Sequence, residues 1–173
     1  MLRLMITQRP MITVRPARPT DAAALADVFA GSWRNAYTGI IPHAHLNHLI
    51  RTRDVAWWQK AIRRDSDILV LEAALTVAGY ATLGKSRQSS KYQGEIYELY
   101  LAPVYQGQGL GEYLFEACRL ALDERSLNGL IVWALADNDG ACAFYDRRGG
   151  RAIGEIKEKF GPTSLPKIGF GWS

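Results

Sequence analysis

The apolar positions change their period along the chain. Ile12 to Arg15 alternate as a half-buried strand does. Pro19-Thr20-Asp21 then has the form of a helix start, with Thr20 as N-cap and Asp21 where the positive end of a helix dipole favours a carboxylate. Leu25, Val28, Phe29, Ser32 and Trp33 follow at helical spacing. After Tyr37-Thr38-Gly39 and the break at Pro42, short helical patterns run through Leu46, Leu49 and Ile50, then Val55, Trp58, Ala61 and Ile62. From Ile68 the signal turns to strand: ILVLEA, a turn near Ala74, TVAGYATLG, a polar loop SRQSSKYQG, and EIYELYL. These predict consecutive antiparallel strands. After Gly111 a helix opens with Leu110, Leu114, Cys118 and Ala121 along one face. A strand from Leu130 to Ala136, a short helix from Asp139 to Arg148, a break at Gly149-Gly150, a strand RAIGEI and an extended piece KIGFGW complete the chain.

Composition narrows the class. A chain of 173 residues, 48% hydrophobic and 22% charged, has the size and balance of one globular domain. No repeat, low-complexity tract or linker divides it. Residues 1–10 are irregular and predict a poorly ordered N-terminal extension, with Met11 as a second candidate start, before a single domain over residues 11–173. No apolar run reaches the roughly 18 residues of a membrane span. The opening MLRLMITQRPM lacks the apolar stretch and cleavage site of a signal peptide, so a cytoplasmic protein without a membrane partner is expected. The two cysteines, Cys118 and Cys142, stand in helical patterns and read as small buried hydrophobes. His43, His45 and His48 do not share a helix face as paired ligands would, so no metal is expected. The net charge of +4, with Arg147, Arg148 and Arg151 grouped, suits an anionic ligand or a solvated face. The basic residues are not interleaved with stacking aromatics, which argues against nucleic acid.

The chemistry concentrates where EIYELYLAPVY runs through Gln106-Gly107-Gln108-Gly109-Leu110-Gly111 into the amphipathic helix. Glycines let backbone approach an anion closely, and amides at a helix start point at it with the dipole behind them. The spacing discriminates among phosphate ligands. A dinucleotide loop needs its third glycine one position later, where Glu112 stands, and a nucleotide-triphosphate loop needs Gly-Lys-Ser/Thr, which does not follow.

What remains is [Q/R]-x-x-G-x-[G/A], filled by Gln106, Gly109 and Gly111. With Leu99-Tyr100-Leu101-Ala102-Pro103 before it and Asn138, Ala141, Phe144 and Tyr145 as N-x-x-A-x-x-F-Y beyond it, the sequence resembles the GNAT superfamily of acetyl-CoA-dependent N-acetyltransferases. The resemblance covers nearly everything after residue 11 and implies an α/β (α+β) fold, a central mostly antiparallel sheet flanked by helices. It implies transfer from acetyl-CoA to a primary amine by direct attack in a ternary complex. Backbone groups of Leu99, Tyr100 and Leu101 would hold the pantetheine, the amides from Gln106 to Gly111 the pyrophosphate, and Asn138, Ala141 and Phe144 would line the cofactor. Tyr145 would protonate the departing thiolate. One departure is Gly150, where the family often carries an aromatic, which bears on local packing. Arg147 and Arg148 read as a solvated helix face.

Such a reaction needs a neutral amine. At pH 7 a lysine-type amine with a pKa near 10.4 costs roughly 4.6 kcal/mol to deprotonate, and an α-amine near 7.8 about 1 kcal/mol. Glu95 and Glu98 are the candidate bases, and regular strand alternation predicts that they face opposite sides. Glu95, eleven residues before Gln106, stands where several members of the family place a glutamate base. Trp33, Tyr37 and the loop from Gly39 to Pro42 fall where the family's acceptor binds. A small-molecule amine is the expected acceptor. The alternatives are a protein N-terminus or lysine, or a non-catalytic acyl-CoA-binding module. A homodimer is an expectation at the level of the family.

Overall fold

Strands β1 (Ile12–Pro16), β2 (Ile68–Ala73), β3 (Thr76–Lys85), β4 (Gly94–Leu101), β5 (Leu130–Leu135), β6 (Arg151–Phe160) and β7 (Thr163–Trp172) form one sheet in the order β1-β2-β3-β4-β5-β7-β6. The structure, a computed structural model, describes residues 11–64, 67–88 and 91–173. The proposed extension at residues 1–10 lies outside the described residues. Every neighbouring pair of strands is antiparallel except β4 with β5. The β2–β3 turn falls at Ala74 and Leu75, both with positive φ, as a tight two-residue hairpin requires.

Helices α1 (Ala22–Tyr37), α2 (His43–Thr52) and α3 (Val55–Arg64) cover one face, and α4 (Leu110–Asp123) and α5 (Asp139–Arg147) the other. Each face has its own core. Leu25, Phe29, Leu46 and Trp58 pack on Val70 and Tyr80, whereas Leu114, Phe115, Cys118 and Leu122 pack on Leu71, Ala81 and Leu83. With cores on both sides, β2 and β3 carry nearly continuous apolar runs, and alternation alone would not have marked them as strands.

Three local expectations are corrected. The N-cap of α1 is Asp21, not Thr20, which belongs to a short 3-10 turn over Pro19–Asp21. The Asp21 carboxylate accepts from the Arg18 amide at 2.7 Å and from the Arg15 guanidinium at 2.8 and 3.0 Å. Arg15 also reaches Glu72 at 2.7 Å, tying the helix start to β2, and this network rather than a hydroxyl cap fixes the chain's entry into α1. Second, β6 continues to Phe160 and β7 starts at Thr163, making a longer hairpin than RAIGEI and KIGFGW. Third, β4 is bulged: Thr82 faces Glu98 while Leu83 faces Ile96, leaving Tyr97 as an extra residue. No described helix is long and apolar enough to cross a membrane.

Candidate active site

β4 and β5 pair only at Gly94 with Leu130, Glu95 with Ile131 and Ile96 with Val132. Beyond Ile96, β5 stays on β7 as far as Leu135 while β4 follows β3 to Leu101, so the two parallel strands part. A cavity of about 720 Å³ lies at the opening, lined by Leu99, Tyr100 and Leu101 from β4, by Asn138, Ala141, Phe144 and Tyr145, and by Gln106, Gly107, Gly109 and Gly111. The expected cofactor residues thus converge from three separate segments. Gln108 and Leu110 are outside the lining. The Gln108 side chain turns back to the Val104 carbonyl at 2.9 Å, and Leu110 is buried in the core beneath α4.

The glycine loop is shaped to present amides. Gly107 and Gly109 have φ of 73° and 78°, the left-handed region open to glycine without steric cost, and Gly109 is the N-cap of α4. Gln106 donates its amide to Pro103 and Glu112 donates to Gly109. The amides at the start of α4 lie where a helix leaves donors without intrahelical partners. Gly111 leaves room for a neighbour: a Cβ there would stand 3.3 Å from the Phe144 ring, which packs across the helix start. The Gln106 side chain donates to the Leu101 carbonyl at 3.0 Å, buckling the loop to the end of β4. Arg147 and Arg148 line the same cavity, and Arg148 pairs with Glu112, so they are not simply a solvated face.

Asn138 caps α5, its Oδ1 accepting from the Ala141 amide at 3.2 Å. Tyr145 projects from α5 into a nest of Phe115, Phe144, Phe170 and Trp172, with ring centroids 5.3 to 6.3 Å away. Gly150 allows this packing, since a Cβ there would meet the Trp172 ring at 2.6 Å. The Trp172 indole, arriving from β7, fills the space beside Gly150. Burial pushes the Tyr145 hydroxyl well above the ordinary phenol range.

A second cavity of about 610 Å³ adjoins the first, and Trp33, Tyr37, Glu95 and Glu98 all line it. The expectation that the two glutamates face opposite sides is therefore corrected: the extra residue at Tyr97 restores Glu98 to the face of Glu95. Neither carboxylate is bare. Glu95, 1% exposed, accepts from the Arg87 amide at 2.8 Å and from its guanidinium at 2.5 and 3.0 Å. Glu98 accepts from Arg53 at 2.6 and 3.1 Å and from the Tyr80 hydroxyl at 3.0 Å. The partners differ in freedom. The Arg87 side chain is 59% exposed, whereas Arg53 is 23% exposed and lies over the rings of Phe29 and Trp57.

Several cavity residues had no signal in the sequence. Asn35 on α1 reaches Gln106 at 3.4 Å, and Arg53 and Arg87 come from a helix end and a polar loop, where charged residues ordinarily read as solvated. Cys118 is buried, its thiol pushed up to about 12, and neither cysteine lines either cavity. His45 lines the second cavity edge-on to Phe160, and among the described residues no three His, Cys, Asp or Glu gather as a metal site.

Residues 30–150 match the acetyltransferase (GNAT) family. The chain belongs to the GNAT acetyltransferase family. Among its GNAT relatives is the uncharacterized N-acetyltransferase YuaI of Bacillus subtilis, 28% identical over 94% of this chain and 93% of its own. The mycothiol acetyltransferase of Corynebacterium aurimucosum is 32% identical over 60% of this chain, which spans only 35% of that longer protein. Solved GNAT structures share the fold. The PaiA N-acetyltransferase of Thermoplasma acidophilum, in complex with coenzyme A, has a TM-score of 0.72 at 20% identity, covering 91% of this chain and 98% of its own. A GCN5-related N-acetyltransferase structure from Rhodopseudomonas palustris has a TM-score of 0.75 at 22% identity, with 98% of each chain covered.

Proposed function

We propose that this GNAT protein transfers the acetyl group of acetyl-CoA to a primary amine of a small molecule, by direct attack in a ternary complex. The observation that carries the reading is the parting of β4 from β5 beside the glycine loop that opens α4. The residues present fit acetyl-CoA. Nothing lies within 4 Å of a Cβ built on Gly107 or Gly109, so a pyrophosphate can approach the loop from that side. The β4 backbone from Leu99 to Leu101 would receive the pantetheine, with Asn138, Ala141 and Phe144 along the opposite wall. Bound there, acetyl-CoA supplies an activated acetyl thioester.

The chain's own groups then handle protons and position. Trp33 and Tyr37 wall the acceptor cavity. Glu95 takes the amine proton, directly or through one water, once the exposed Arg87 guanidinium yields one carboxylate oxygen. Tyr145 supplies the proton for the departing sulfur. Its raised pKa keeps it protonated, and so able to donate, at neutral pH. The absence of a cysteine from both linings favours direct attack over an acetylated enzyme thiol. A cavity of about 610 Å³ and the kinship with mycothiol acetyltransferases favour a small acceptor over a protein chain.

The pH–rate profiles of Glu95→Gln and Glu98→Gln with one identified acceptor test the proton assignment. Glu95→Gln should lower turnover near neutral pH by roughly 10²-fold. Part of the loss should return as pH rises, because the cost of a neutral amine shrinks by about 1.4 kcal/mol per pH unit below the amine's pKa. Its melting temperature should change little, since Arg87 can turn to solvent. Glu98→Gln should instead cost stability, up to about 3 kcal/mol, by stranding Arg53 among aromatic rings. A Glu95→Gln profile that overlays the parent removes Glu95 as the base.

A further inference from the structure

Tyr100 is the one described residue that lines both cavities. If one cavity holds the thioester and the other the amine, as proposed above, the reacting carbonyl lies where they meet, beside this side chain. Tyr100 is not isolated there: its hydroxyl is 2.7 Å from that of Tyr37, with either oxygen able to donate. With Tyr37 giving its proton to the Tyr100 oxygen, the Tyr100 proton is left for the cleft. That bond polarises the Tyr100 hydroxyl.

We propose that the Tyr100 hydroxyl donates a hydrogen bond to the thioester carbonyl oxygen and stabilises the negative charge that gathers there as the amine adds, with Tyr37 as a positioning residue. No proton leaves Tyr100 in this role, which separates it from Tyr145, a liner of the cofactor cavity alone. Burial holds both the Tyr37 and Tyr100 hydroxyls above the usual phenol range, so each remains a protonated donor at neutral pH. The donor is also fixed in advance. The Tyr100 ring sits 5.9 Å from both Trp33 and Tyr80, and Tyr37 packs edge-on to Trp33 at 4.9 Å, so little reorganisation is needed as charge develops.

The test rests on a spectroscopic readout that needs no acceptor. Acetyl-CoA carrying ¹³C at the thioester carbonyl is bound to the parent, Tyr100→Phe and Tyr37→Phe, and the carbonyl stretch is recorded by isotope-edited infrared difference spectroscopy, with affinity measured by calorimetry. The parent should shift the stretch to lower frequency than in free acetyl-CoA. Tyr100→Phe keeps the ring and should keep the affinity while losing most of the shift. With an amine present its kcat should fall by roughly 10²- to 10³-fold at unchanged KM, the usual loss of one oxyanion donor. Tyr37→Phe should retain part of the shift and lose about fivefold in kcat, the worth of one neutral hydrogen bond. A Tyr100→Phe stretch that coincides with the parent's overturns the proposal and leaves the acetyltransferase reading standing. Should Tyr100→Phe fail to fold, a Tyr37→Phe spectrum identical to the parent's overturns it equally. Failure of the parent to bind acetyl-CoA at all is a different result, and it removes the underlying reading.

Discussion

Gly109→Asp should weaken acetyl-CoA binding by roughly 100-fold or more without unfolding the chain. A carboxylate about 5 Å from a phosphate charge, at an effective dielectric constant near 20, repels it by about 3 kcal/mol, which corresponds to roughly 100-fold in affinity. The fold should tolerate the change because nothing lies within 4 Å of the new Cβ. Aspartate also visits the left-handed region more readily than most residues, so the φ of 78° at Gly109 does not exclude it. Gly109→Ala serves as the control: it meets the same open space without charge and should lose only the conformational part, about 1 kcal/mol or fivefold. Calorimetric titration of the three proteins separates charge from shape. Equal affinities for parent and Gly109→Asp would remove the pyrophosphate from this loop.

Tyr145→Phe should lower turnover by roughly 10²- to 10⁴-fold, the contribution of a positioned general acid, while acetyl-CoA affinity and melting temperature stay close to the parent's. The ring is what Phe115, Phe144, Phe170 and Trp172 pack against, and phenylalanine preserves it. Single-turnover rates with a saturating amine read the chemical step without interference from product release. A rate equal to the parent's would make Tyr145 a packing residue and leave the sulfur to take its proton from water.

The two mutations touch the part of the site most legible in the sequence. Gln106, Gly109 and Gly111 stand at fixed offsets in one turn, and Asn138 to Tyr145 lie within one short helix, so local spacing carries their geometry. What depends on distant segments was not legible. Regular alternation placed Glu95 and Glu98 on opposite faces, and a single extra residue at Tyr97 reversed that, because a bulge is set by how two strands pair and not by the composition of either. The partners of those carboxylates come from elsewhere in the fold: Arg53 from beyond the end of α2 and Arg87 from the loop after β3. The full length of β6 was hidden for a different reason. As an edge strand it is exposed along most of both faces, so Lys157, Glu158 and Lys159 give no alternation to mark it. The junction of the cavities at Tyr100 likewise appears only once β4 and β5 are seen to part after Ile96.

Thiol release from acetyl-CoA by the purified chain, followed across a panel of small primary amines with the products identified by mass spectrometry, tests the central claim most directly. The account predicts that at least one amine yields its N-acetyl derivative together with one free thiol per product. It also predicts that Gly109→Asp and Tyr145→Phe suppress that yield through affinity and through turnover respectively. Acetyl-CoA that binds the chain yet releases no thiol with any amine, small or peptide-borne, would contradict the account and leave an acyl-CoA-binding module in its place.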